Sequence, residues 1–156
     1  MQSLKLIAMD AEDLAIISAH LQDACVKIEE MAYLPRQQRF AAVINRFDWE
    51  RAIKCPESVP DYKRCRAGLR FERVLGAQLH GVNLDHKGEV LCLLAVQFDP
   101  VEPPGGFVHL VFAGGPMIRL QVECIEAELK DLGPAWPTNR KPDHRRAEHA
   151  TAMKTR

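Results

Sequence analysis

A mainly antiparallel α+β fold is predicted by three observations. Between Val26 and Val122 apolar residues recur largely at every second position, the period of half-buried strands. Only Ala11 to Gln22 and the stretch after Glu123 lengthen that period toward a helical one. Strands that follow one another without crossover helices must pair antiparallel. The expected architecture is a curved sheet or split barrel of about seven strands, a number at which sheets curl on themselves. An N-terminal helix and a C-terminal capping helix complete an element order that is pleckstrin-homology-like.

"LKLIAM" at Leu4 to Met9 reads as a short strand. Asp10 stands where an N-cap belongs, with Asp13 three residues on, and Leu14, Ile17 and Leu21 recur at helical spacing over Ala11 to Gln22. "VKIEEMAYL" and "RFAAVINRF" flank "PRQQ" and read as a hairpin. In "RFAAVINRFDWE" the alternation puts Ala41, Val43, Phe47 and Trp49 on an apolar face with Asn45. Ile44, Arg46, Asp48 and Glu50 then share a solvated face. Pro56 and Pro60 mark Trp49 to Cys65 as a loop with at most a helical turn. Arg66 to Gly81 reads as one long strand, bent near Arg73 to Gly76, where Arg73 interrupts the apolar face. Glu89 to Phe98 is apolar on both faces and reads as a central strand. "FVHLVFA" and "MIRLQVE" are joined by "GGP", a hairpin signal. Ile125, Leu129 and Leu132 then line the expected closing helix, ended by Gly133-Pro134.

The 156 residues fit one domain, placed at residues 1–134, followed by a basic tail at 135–156 that is expected to be disordered. The tail holds six basic residues against two acidic ones and almost no apolar residue after Trp136. The formal net charge of zero excludes a global field toward nucleic acid or membrane. The longest apolar run, Val90 to Val96, is too short to span a bilayer, and Met1 to Asp13 lacks the pattern of a signal peptide. The five cysteines include no CxxC pair. Cys25, Cys92 and Cys124 lie in apolar surroundings and read as small hydrophobes in a reducing compartment, so a cytoplasmic location is expected.

The candidate ligand-binding residues are Asn45, Arg46, Asp48, Trp49 and Glu50. They concentrate amide, charge and indole in a short stretch, and Arg46, Asp48 and Glu50 could bind a peptide or small anion. The bland alternative is a half-buried strand with a surface Arg46–Asp48 ion pair worth under about 1 kcal/mol. His80, Asp85 and His86 could contribute to a divalent-metal site, but a polar hairpin loop has the same letters. Cys124, near the start of the expected closing helix, reads as a packed thiol, because Glu123 and Glu126 oppose its ionisation. Phe112 to Met117 reads as a turn, not a phosphate cradle.

At "DAEDLAIISAHLQDA", "RFAAVINRFDWE" and "IRLQVECIEAELKDLGPAW" the chain resembles an alphaproteobacterial domain-of-unknown-function family, DUF2948-like, over most of residues 4 to 136. The resemblance implies a bacterial cytoplasmic setting and brings no activity, ligand or catalytic residue.

With no convergent catalytic set, no cofactor and no metal are assigned. The leading expectation is a non-enzymatic module that binds a protein or peptide, or forms a homo-oligomer through a sheet edge or face. The second is a small-ligand site or enzyme around Arg46, Asp48 and Glu50. Tail-mediated nucleic-acid binding comes third, since the tail lacks aromatic residues for base stacking.

Overall fold

The computed structural model describes residues 3–54 and 62–138. Among these residues ten strands form one open antiparallel sheet: β1 (Lys5–Ala8), β2 (Cys25–Leu34), β3 (Arg39–Phe47), β4 (Tyr62–Phe71), β5 (Val74–His80), β6 (Val90–Pro100), β7 (Gly106–Phe112), β8 (Met117–Val122), β9 (Ala127–Asp131) and β10 (Trp136–Thr138). Their order is β1-β9-β4-β3-β2-β6-β7-β8-β5, with β10 on the first residues of β4. The helices are α1 (Ala11–Leu21) and the six-residue α2 (Trp49–Lys54).

α1 starts where Asp10 caps it, its Oδ1 accepting the Asp13 N–H at 2.8 Å. Asp13 returns the contact by accepting the Met9 N–H at 3.3 Å. Leu14, Ile17 and Leu21 are buried against the concave face of the sheet, and Ser18 Oγ accepts the Val96 N–H at 2.9 Å. Asp10→Ala leaves the Asp13 N–H without this acceptor. It is expected to lower the unfolding free energy by about 1 kcal/mol in a urea titration followed by circular dichroism.

The core is the concave side. Ile44, Leu69, Phe71, Leu91, Leu110, Leu120 and Leu129 meet there at 3% exposure or less. Both halves of the sheet feed this one cluster, so the sheet is strongly rolled. The expected hairpin at Pro35–Gln38 forms, with a short 3-10 turn at Pro35–Gln37. The β7–β8 hairpin also forms, and Gly114 and Gly115 adopt φ of 87° and 109° in its turn.

Three expectations are corrected. The C-terminal helix is a strand: Ile125, Ala127, Leu129 and Asp131 alternate inward, and β9 pairs with β1 on one side and β4 on the other. That ladder satisfies the backbone on both sides and overrides the helix propensity of "AELKD". With no closing helix, the pleckstrin-homology-like plan is lost, and ten strands replace about seven. The single long strand from Arg66 to Gly81 is two strands, β4 and β5, which lie six places apart in the sheet order. The break falls at Glu72–Arg73, with Arg73 at φ 60°, so the bend near Arg73 is a complete change of sheet position. A smaller register shift follows between Val74 and Gly76. β10, at Trp136–Thr138, lies just past residue 134, where the sequence reading places the domain limit. Residues 139–156, most of the predicted tail, and residues 55–61 of the predicted loop lie outside the described residues.

Candidate functional site

The site predicted on Asn45 to Glu50 divides across the sheet. The buried positions of β3 are Phe40, Ala42, Ile44, Arg46 and Phe47, while Ala41, Val43 and Asn45 face outward. From Phe40 to Arg46 the two faces are therefore the reverse of the sequence reading, and Phe47, on the outward parity, is buried with Trp49 packed against it. That reading was anchored on Phe47 and Trp49, yet the strand stops at Phe47 and Trp49 begins α2, so the alternation does not continue across Asp48.

Arg46 is consequently an interior cation. Its side chain is 4% exposed and its partner Asp131 2%. Nε donates to Asp131 Oδ1 and Nη2 to Oδ2, both at 2.8 Å. The same carboxylate accepts the Leu4 N–H at 2.8 Å and the Cys65 thiol at 3.2 Å. Burial opposes ionisation of Asp131, but the hydrogen bonds from Arg46, Leu4 and Cys65 outweigh it and hold the carboxyl below its usual range. Burial also works against the Arg46 cation, and the Asp131 contact more than compensates, raising its pKa. Burial, then the Asp131 contact, pushes the Cys65 thiol up to about 12. The node thus ties Leu4, just before β1, to β3, β4 and β9.

The remaining predicted residues lie outside that node. Asn45 is half-buried on the outer face, and its carbonyl accepts Arg64 Nη1 at 3.3 Å. The Asp48 N–H donates to the Lys63 carbonyl at 2.8 Å, and its own carbonyl accepts the Ala52 N–H at 3.2 Å, which starts α2. Trp49 packs edge-on against Phe47 at 4.7 Å and donates its indole N–H to the Gln22 carbonyl at 2.8 Å. Glu50 reaches His20 Nε2 at 3.5 Å. Asn45 and Trp49 thus border one outer shelf with Arg64, whereas Arg46 is on the opposite side of the sheet and Glu50 is drawn to α1.

The other sequence candidates fall elsewhere. Gly81, Asn83, His86 and Glu89 face Gly114, Gly115 and Pro116 across an open cleft of about 470 Å³, bringing the histidine-bearing loop to the "GGP" turn. His86 there contacts Glu89 at 3.3 Å and Asn83 at 3.4 Å. Cys124 lies in a bend between β8 and β9, not at a helix start.

Two features lay beyond sequence reasoning. One is the β5 edge. Among the described residues β5 pairs only with β8. Ala77 and Leu79 sit opposite the buried Leu120 and Ile118 and so belong to the inward face, yet Leu79 is 38% exposed. Its neighbour Leu75 is 45% exposed and lines an outer groove of about 310 Å³ with Val101, Pro104, Phe107 and Gln121. The other feature is the direct opposition of Cys25 and Cys92 on β2 and β6. No local spacing signals either one. The absence of Asp, Glu, Lys and Arg from "VLGAQLH" was the one available hint of the first.

These elements define the chain as an open-sheet, antiparallel α+β domain whose edge strand β5 is left unpaired on one side among the described residues. It belongs to the family described as "Protein of unknown function (DUF2948)", whose model matches residues 4–144. No curated protein and no solved structure matches the chain. Among the described residues no helix is long and apolar enough to cross a membrane.

Proposed function

We propose that this chain is a non-enzymatic binding module that receives an extended strand of another polypeptide along β5. The observation that carries this reading is an edge strand free of Asp, Glu, Lys and Arg that, among the described residues, pairs with β8 alone. Native edge strands are ordinarily protected against pairing by charged side chains, proline or brevity. β5 spans seven residues without Asp, Glu, Lys, Arg or Pro. The opposite edge, β1, has four residues and begins with the charged Lys5.

An added strand would bond to the open backbone groups of β5 and cover Leu79. Alternate side chains would bring apolar contact, and the groove beside Leu75 would select among them. A second copy of β5 meets these requirements. Laid antiparallel about Ala77, it sets no like charge against like.

Sedimentation of the full chain at rising concentration tests the reading, together with selection of displayed extended peptides. The expected result is self-association, or retention of peptides with alternating apolar residues, lost in either case in Leu79→Lys. A chain that stays monomeric throughout and retains no peptide in a Leu79-dependent way overturns it.

A further inference from the structure

The two half-sheets meet along a narrow seam. β2 and β6 pair only over Cys25–Lys27 and Val90–Cys92, so the register partners Cys25 and Cys92 sit at one end of a three-residue ladder. The Leu93 N–H donates to the Ala24 carbonyl at 2.8 Å, and the Ile28 N–H donates to the Glu89 carbonyl at 3.0 Å. Even-numbered residues of β2 therefore make the hydrogen bonds to β6. The Cys92 carbonyl instead accepts the Ala113 N–H at 2.8 Å, on the side away from β2. Cys25 and Cys92 thus form a non-hydrogen-bonded pair, whose Cα atoms approach to about 4.5 Å. That separation lies inside the window for a disulfide, roughly 4.4–6.8 Å.

Both side chains are on the outer, half-buried face, because their neighbours Val26, Leu91 and Leu93 point into the core. Arg64 Nη1 lies 3.9 Å from Cys25 Sγ and is held there by the carbonyls of Asn45 at 3.3 Å and Asp23 at 3.5 Å. The sequence reading of Cys25 as a small hydrophobe omits this cation, which comes from β4.

We propose that Cys25 and Cys92 are a redox-active cross-strand pair that closes into a disulfide by exchange with a low-molecular-weight disulfide, with Cys25 as the attacking sulfur and Arg64 as its positioning residue. The Cys25 thiolate attacks one sulfur of RSSR. That S–S bond breaks, and RS⁻ departs and takes a proton from water. The Cys92 thiol then gives up its proton, and its sulfur attacks the Cys25 sulfur of the mixed disulfide, expelling the second RS⁻. In sum, one protein dithiol and one RSSR become one protein disulfide and two RSH, the two electrons passing to the small disulfide. Excess thiol reverses the sequence.

The electrostatics agree with the order of attack. The hydrogen bond from Cys92 lowers the Cys25 pKa most, burial and Asp23 oppose it, Arg64 adds to the lowering, and the result is about 6. Cys25 is then largely thiolate at neutral pH. The closed pair would staple the sheet at its thinnest join.

The test exposes the full-length, pre-reduced chain to oxidised glutathione, quenches with acid, alkylates, and maps peptides by mass spectrometry. The expected product is a Cys25–Cys92 cross-link. In Cys92→Ser a glutathione adduct accumulates on Cys25, whereas Cys25→Ser reacts far more slowly at Cys92. Adding Arg64→Gln to Cys92→Ser slows the adduct at neutral pH and moves its pH midpoint upward, since the Arg64 guanidinium lowers the Cys25 pKa. Either of two results overturns the proposal: Cys25 and Cys92 both remain alkylatable in the folded chain, or the cross-link forms through one of the other three cysteines.

Discussion

Asp131→Ala is expected to lower the unfolding free energy by about 3–5 kcal/mol, since it leaves the interior Arg46 cation without its counter-charge. The size follows from burial: both side chains are at most 4% exposed, so water cannot take over the role of the missing carboxylate. The loss also strands the Leu4 N–H, which donates to the same carboxylate. Replacing both partners together, as Arg46→Met with Asp131→Leu, should recover most of the loss, because the desolvated cation goes with its partner. About 1–3 kcal/mol should persist, as the Leu4 N–H and the Cys65 thiol still lack an acceptor. Urea titrations of wild type, single and double variants check this. The pH dependence has a definite sign. The folded-state pKa of Asp131 is depressed, so its contribution is fully present above the unfolded Asp value of about 3.9 and is lost as pH falls through the lower folded value. Asp131→Asn should flatten the acid limb of the stability curve below about pH 4.

The second large effect separates the two readings of the last core segment. If residues 125–132 were helical, Leu129 and Leu132 would share a buried face. In β9 Leu129 is fully buried, whereas Leu132 is 54% exposed beyond the strand and lies over Gly68. Leu129→Ala is therefore expected to cost about 2–5 kcal/mol. Leu132→Ala should cost about 0.5 kcal/mol or less. Similar losses at the two positions would return the segment to a helix.

That segment shows why part of the fold was legible and part was not. Asp10, Asp13 and the Leu14, Ile17, Leu21 spacing are local signals, and α1 starts and buries as they indicate. The same holds for "PRQQ" and "GGP", where a turn must satisfy its own backbone geometry. "CIEAELKDL" is ambiguous by itself. Ile125, Leu129 and Leu132 satisfy a helical period, and Ile125, Ala127 and Leu129 satisfy a period of two. The choice is made by β4 and β1, which flank the segment from far away in sequence. Strand β3 poses the same problem for a site. It lies between β2 and β4 with apolar residues of both parities, so periodicity finds the strand but not its inward face. Arg46 was thus legible as a notable residue, while its partner, 85 positions away, was not. The Cys25–Cys92 opposition is hidden for the same reason.

The pairing of β1 with β9 fixes when this chain can finish folding. The Leu4 N–H finds its acceptor 127 residues downstream, on Asp131. Lys5–Ala8 must therefore wait on the ribosome, unpaired, until Ala127–Asp131 has been synthesised. Arg46 emerges long before its carboxylate and must keep its hydration until Asp131 has been synthesised. The region around Ile44 and Ala67 can shed its last water only after that point, so this domain closes as a whole rather than from its N-terminus onward.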